Sequence, residues 1–209
     1  MVIKKEKILE ALKKLRENSK KRNFVQSVDL IINIRGIDLR RPENRFEKDV
    51  FLPHGRGEDA KIVVFSDTYR NLNVPVLTSK DVEALGKNLR EAKKLAKKTD
   101  FFLAEPRLMP LIGRYLGKVL GPRGKMPRII RVEPMKMIEQ YKKAITIRLK
   151  TNPVIQCLVG KENMKDEEIA DNIMEVIKSA VQSLPKKEAN IKNIYLKFTM
   201  SKPIKIEVR

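Results

Sequence analysis

The sequence predicts a mixed α/β chain in two domains: an α+β outer domain built from both ends, residues 1–60 and 144–209, and an α/β domain, 61–143, inserted between them. Three observations predict this. Near both ends apolar and polar residues alternate, as in Val28, Leu30, Ile32 and Ile34 and again in Ile145, Ile147 and Leu149, the pattern of strands with one face in water. In the middle the apolar residues run unbroken, as in Ile62-Val63-Val64-Phe65 and Phe101-Phe102-Leu103-Ala104, which suits strands buried on both faces of a parallel sheet. Helical periodicity falls between those runs, so strand and helix alternate as in βαβ units.

Taken in order, residues 4–16 carry Ile8, Leu9, Leu12 and Leu15 at helical spacing, and the start at Met1-Val2-Ile3 reads as part of a soluble helix rather than a signal peptide. A basic connector, Lys20 to Asn23, leads into the strand Val28–Arg35, in which Ile31 breaks the alternation. Gly36 ends that strand, Phe46 to Leu52 form a second, and Pro53-His54-Gly55-Arg56-Gly57 mark a turn or hinge. In the insert, Val74-Pro75-Val76-Leu77 is a third unbroken run. Asp81 is a candidate N-cap for one long helix with Val82, Leu85, Leu89, Ala92 and Leu95 on its apolar face. Leu108 to Leu120 is a further helix, and Pro134 to Tyr141 a short one with proline in its first turn. Beyond the insert, Val154 to Val159 is a strand. Asp166 caps a helix whose apolar face is Ile169, Ile173, Ile177, Ala180, Val181 and Leu184. Two strands follow, Ile194-Leu196-Phe198 and Ile204-Ile206-Val208, with a hairpin-like loop between them.

Composition narrows the function classes. Lys and Arg number 46 against 26 Asp and Glu, a net charge of +20 that opposes compaction by self-repulsion and calls for a polyanionic partner. RNA, DNA and an anionic membrane surface all qualify on charge. The charge is shared nearly evenly between outer and inner parts, so it does not say which part binds. No apolar run approaches 18 residues, a single Cys excludes an internal disulfide framework, and a single His excludes a histidine-built metal site. These features fit a reducing, cytoplasmic setting.

No catalytic constellation stands out. Gly55-Arg56-Gly57-Glu58-Asp59-Ala60 matches a dinucleotide-binding string but precedes a strand instead of following one, and no phosphate-binding GxxxxGK[ST] sequence exists. Cys157 alternates within an apolar strand, which makes it a structural thiol instead of a nucleophile paired with His54.

Three segments suit nucleic-acid contact. Phe24 stands among Lys20, Lys21, Arg22, Asn23 and Gln26 at the mouth of a strand; it can stack on a ribose or base, or fold back as the first core residue of the strand. Leu120-Gly121-Pro122-Arg123-Gly124-Lys125-Met126-Pro127-Arg128 is either a phosphate-contacting loop presenting Arg123, Lys125 and Arg128, or a rigid connection that is basic. Thr199-Met200-Ser201 offers hydroxyls for phosphates or 2′-hydroxyls and a thioether that packs on a ribose or base, or is an ordinary hairpin loop.

The chain resembles the large-subunit ribosomal stalk protein L-one family, in its archaeal form. The resemblance rests on Phe24-Val25-Gln26-Ser27-Val28-Asp29, Gly36-Ile37-Asp38-Leu39-Arg40-Arg41, Leu52-Pro53-His54-Gly55, Leu120 to Pro127, Val159-Gly160-Lys161, Ala170-Asp171-Asn172-Ile173 and Thr199-Met200, in that order over nearly the whole chain. It implies a discontinuous outer domain of split βαβ type and an inserted Rossmann-like domain that is not a nucleotide enzyme. It also implies binding to the stalk of large-subunit rRNA near the exit site for deacylated tRNA, to exit-site tRNA, and, in several members, repression through a similar element in their own mRNA. The implied RNA surface comprises Asn23, Phe24, Ser27, Asp29, Lys150, Thr151, Asn152, Thr199, Met200 and Ser201, with Arg123, Lys125 and Arg128 secondary. Bacterial members usually have Lys where Asn23 stands and Gly where Ser201 stands. A ribosomal, cytoplasmic protein is expected, monomeric when free, with no cofactor, metal or membrane partner and no enzymatic activity. Two other classes compete: an enzyme using the insert to hold a nucleotide, and a general basic DNA-binding protein.

Overall fold

In the computed structural model, which describes residues 4–131 and 133–207, the chain divides into two units, Met1–Glu58 with Lys143–Arg209, and Asp59–Lys142. Met1-Val2-Ile3 and Val208, read above as helix and strand, lie outside the described residues. In chain order the elements are α1 (Lys5–Glu17), β1 (Ser27–Ile34), β2 (Phe46–Phe51), β3 (Ile62–Phe65), β4 (Val76–Leu77), α2 (Ser79–Lys87), α3 (Leu89–Lys98), β5 (Phe101–Ala104), α4 (Met109–Leu120), β6 (Arg128–Ile129), α5 (Pro134–Lys142), β7 (Ala144–Leu149), β8 (Val154–Lys161), α6 (Asp166–Ser183), β9 (Ile191–Phe198) and β10 (Ile204–Ile206). Short 3-10 turns occupy Pro42–Asn44, Pro106–Leu108 and Lys187–Asn190.

The outer unit is built on a four-stranded sheet of order β10-β9-β1-β8, every neighbouring pair antiparallel. Because β1 runs against both β8 and β9, those two are parallel to each other and joined through α6, with β1 inserted between them: a split βαβ unit. Strand alternation does the sorting. Val28, Leu30, Ile32 and Ile34 point inward and are buried, as are Ile155, Cys157 and Val159 of β8, and Ile194, Leu196 and Phe198 of β9. Against them lie Ile8, Leu12 and Leu15 of α1 and Ile169, Ile173 and Val176 of α6, all fully buried. Each such side chain contributes about 1.5–3 kcal/mol by leaving water. β2 and β7 form a separate two-stranded ribbon whose Val50, Ile145, Ile147 and Leu149 join the same core.

The inserted unit is a parallel sheet of order β4-β3-β5-β6. The chain leaves β3 toward one side and β5 toward the other, the winding of a Rossmann-like sheet. Val63, Phe65, Phe102 and Ala104 face the layer of α2, α3 and α4, with the Phe65 and Phe102 rings stacked at 5.6 Å. On the other face Phe101 meets the Tyr141 ring of α5 edge-on at 5.2 Å. Gly86 is needed for helix packing: a Cβ there would lie 2.5 Å from the Tyr115 ring.

Several expectations change. The long helix of the insert is two: Asn88 interrupts it at φ −110, ψ 79, and its side chain accepts from the Glu91 N–H to start α3. Asp81 is not the N-cap. Thr78 is, and Asp81 accepts from the Thr78 backbone N–H at 2.8 Å as the third-position acid of a capping box, which holds its carboxyl below the usual range. Asp166 is likewise the first residue inside α6, after Lys165. Of the run Val74–Leu77 only Val76 and Leu77 form the strand, at the sheet edge and half-buried; Pro75 has no N–H to donate, and its carbonyl accepts from the Val64 N–H at 3.0 Å. Arg128 lies in a strand, β6, where the sequence reading had a loop.

The turn Pro53–Gly57 belongs to the outer unit and is held fast. Gly55 and Gly57 adopt φ 67 and 89, which favour glycine. Asn172, fully buried in α6, donates to Gly55 O at 2.7 Å and Val159 O at 2.9 Å and accepts from His54 N–H at 3.2 Å. The Leu-Pro-His-Gly and Ala-Asp-Asn-Ile segments are therefore two halves of one hydrogen-bonded clamp.

Candidate nucleic-acid interface

Antiparallel pairing brings the start of β1, the end of β9 and the end of β8 to one end of the outer sheet. Ser27 N–H donates to the Thr199 hydroxyl at 3.1 Å, and Thr199 N–H returns a bond to Ser27 O at 3.1 Å. Phe24 at 52% exposed, Val25 at 52% and Met200 at 61% stand out from this end, so Phe24 is not a core residue. Exposed large apolar groups beside a basic connector are placed for contact with a partner.

Gln26 organises this end, and sequence reasoning missed it. Its Oε1 accepts from Met200 N–H at 3.2 Å, its backbone N–H donates to Glu162 Oε2 at 3.2 Å, and its carbonyl accepts from Glu162 N–H at 2.8 Å. Gln26 is buried, and its Nε2 has no partner among the described residues. One signal existed: Gln26 shares the strand parity of Val28 and Leu30, so its side chain points inward. Arg16 of α1 fixes the segment after β8, donating to Asp166 Oδ1 at 2.7 Å, Glu162 O at 2.9 Å and Met164 O at 3.0 Å. The β1–β8 register slips by one residue between Val28 and Asp29, a bulge that turns the strand end near the exposed group.

Ser201 closes the β9–β10 loop. Its Oγ accepts from Phe198 N–H at 2.8 Å, and its backbone is not left-handed, since Lys187 is the one non-glycine residue with positive φ among those described. A glycine is not required at this position. Asn23 is exposed beside Phe24. Asp29 stands opposite Lys197 on the outward face of the sheet; burial pushes its carboxyl above the ordinary 3.8, and Lys197 draws it part of the way back.

Lys150, Thr151 and Asn152 are exposed, but they lie before β8 at the far end of the sheet, roughly 23 Å from Ser27 at the strand rise per residue. Lys150 Nζ sits 2.7 Å from Glu47 Oε2. The structure therefore gathers Asn23, Phe24, Ser27, Thr199, Met200 and Ser201 and leaves this group apart. In the insert, Arg123 donates to Val119 O at 2.9 Å, and Lys125 Nζ donates to Ala96 O at 2.9 Å and Thr99 O at 2.5 Å. Both cations satisfy carbonyls at the ends of α4 and α3.

The Cys157 thiol is pushed up to about 12, chiefly by burial and then by Asp29, and His54 lies beside Asp171 at 3.5 Å. Among the described residues no cluster could hold a metal ion, and no helix is long and apolar enough to cross a membrane.

Residues 12–202 match the family model described as the ribosomal protein L1p/L10e family. The protein named large ribosomal subunit protein uL1 of Pyrococcus abyssi is 47% identical over 213 residues, covering 97% of this chain and 96% of that one. Its namesake in Pyrococcus horikoshii is 45% identical over 99% of this chain and 98% of its own, and that of Methanocaldococcus jannaschii is 42% identical over 97% and 96%.

Proposed function

The chain belongs to the ribosomal protein L1p/L10e family, and from that premise we propose that it is a large-subunit ribosomal component, working in the cytoplasm, that binds the rRNA stalk near the tRNA exit site. The observation that carries the reading is the exposure of Phe24 and Met200 at the end of a sheet whose backbone is already fixed by Gln26, Ser27 and Thr199. A preformed surface of this kind suits RNA recognised by shape. Aromatic and thioether faces pack on ribose or base, hydroxyls and amides meet 2′-hydroxyl and phosphate oxygens, and the +20 charge supplies affinity and steering. Two finer roles belong to the same reading: assisting release of deacylated tRNA from the exit site, and repressing translation by binding a stalk-like element of its own mRNA. The reading contains no bond-making step and needs no cofactor.

The test is affinity for stalk RNA and for a random-loop RNA of equal length across a salt series. Each phosphate neutralised should add roughly 0.7 to 0.9 to the log–log salt slope for both RNAs, and a constant advantage for the stalk should remain at high salt. Equal affinity for the two at every salt concentration refutes specific recognition. Duplex DNA at one fixed salt concentration separates this reading from that of a general basic DNA-binding protein.

A further inference from the structure

The inserted unit holds a crevice that the RNA-binding reading does not use. It opens at the C-terminal ends of β3, β5 and β6, where the windings from β3 and β5 diverge, the place where open α/β sheets hold ligands. Its volume is about 530 Å³, and its walls include Thr68, Tyr69, Glu105, Arg107, Arg131 and Glu133, the last paired with Lys136 at 3.1 Å.

Glu105 is the telling group. It is only 8% exposed, and its oxygens are met by hydroxyls: Ser66 Oγ donates to Oε1 at 2.5 Å and Thr68 Oγ1 to Oε2 at 3.4 Å. Ser66 is in turn held by the Tyr69 N–H at 2.7 Å. No cation pairs with this carboxylate among the described residues, although a buried anion is costly without one or without further donors. On the rim Arg107 and Arg131 are exposed and have no anionic partner among the described residues, and Tyr69 is 42% exposed. A buried carboxylate held by hydroxyls and no cation among the described residues, two exposed guanidinium groups and an aromatic face have one ligand chemistry in common.

We propose that this crevice binds a ribonucleotide. Arg107 and Arg131 meet its phosphate, Tyr69 lies against its planar base, and Glu105 accepts from its hydroxyl or amino groups. The nucleotide comes either free or as one residue of an RNA chain. The site lies wholly within the insert and stands independently of the outer-unit surface, so either proposal can fail without the other.

The experiment is titration of the ¹⁵N-labelled full-length protein with adenosine and guanosine 5′-monophosphates, with inorganic phosphate, and with a short oligoribonucleotide. Amide shifts at Tyr69, Glu105 and Arg107 are expected with nucleotide and not with phosphate. The double variant Arg107→Ala/Arg131→Ala should weaken binding about tenfold or more while the rest of the spectrum is unchanged, as expected for lost charge-assisted bonds. Glu105→Gln should weaken it too; if that variant does not fold, the arginine variant still decides. Binding by the mononucleotides assigns a free ligand, and binding by the oligonucleotide alone assigns an RNA chain. Equal shifts with inorganic phosphate, or no shift at these residues in any titration, overturns the proposal.

Discussion

The Met200 N–H and the Gln26 Oε1 meet at 3.2 Å although 174 positions separate them in sequence. Through this bond the buried Gln26, just before β1, sets the height of an exposed thioether. Phe24 and Met200 have little to lose in the free protein, since both are more than half exposed. Phe24→Ala and Met200→Ala should therefore leave the melting temperature within a degree or two, and each should cost on the order of 1–3 kcal/mol of RNA affinity. Melts run beside binding curves check this. A large fall in melting temperature with affinity intact would mean that Phe24 is a core residue after all.

Asn172 joins three backbone groups, His54 N–H, Gly55 O and Val159 O. Asn172→Ala should destabilise the outer unit by about 3 kcal/mol, because Gly55 O and Val159 O lose buried donors. Chemical denaturation measures it, and Asn172→Asp should be nearly as damaging, since a carboxylate cannot donate to either carbonyl.

The raised carboxyl of Asp29 gives a pH dependence of definite sign. The folded form holds the proton more tightly than the unfolded form, so stability falls as pH rises through the interval above 3.8. Asp29→Asn should be more stable than wild type at neutral pH, and the difference should vanish as pH drops below 3.8. Thermal melts of both proteins from pH 3 to pH 7 test it. A variant less stable at neutral pH would mean that Lys197 outweighs the burial.

Lys125 separates two readings of its loop. Its ammonium bonds Ala96 O and Thr99 O, so Lys125→Ala should lower the stability of the inserted unit by about 1–2 kcal/mol. RNA affinity should change by no more than one phosphate contact does, read from the salt slope. A lost phosphate contact with unchanged stability would make it a ligand instead of a strut.

A chain joining residues 1–58 to 143–209 through a short Gly/Ser linker should fold and keep its preference for stalk RNA. The outer unit has its own sheet, two helices and a continuous core, and the Asn172 clamp lies inside it. A folded chain of this kind with no preference for stalk over random RNA would place the reading surface elsewhere.

Much was legible because burial imposes period. Val28, Leu30, Ile32 and Ile34 alternate in the sequence because one face of β1 meets α1 and α6, and Phe101–Ala104 run unbroken because both faces of β5 are covered. The break at Asn88 was not legible, since Leu85, Leu89 and Ala92 keep helical spacing across it. Leu89 is nonetheless 46% exposed, and the Asn88 side chain capping the Glu91 N–H decided the matter.

By itself the sequence determined most of the element types, the basic charge and the segments that carry the family resemblance. These are local or summed properties, fixed by periodicity and composition. Tertiary structure decided which of those segments meet. Phe24 and Met200 share a sheet end because β1 and β9 are antiparallel with Val28 opposite Phe198. Lys150–Asn152 are a strand length away because the same β1 runs antiparallel to β8, with Asn33 opposite Val154. Lys125 became a helix-end donor because α3 ends beneath it, and Glu105 came to lie across from Ser66 because β3 and β5 are neighbours. The partners and register of β1 depend on contacts more than a hundred residues apart, and no local pattern encodes them.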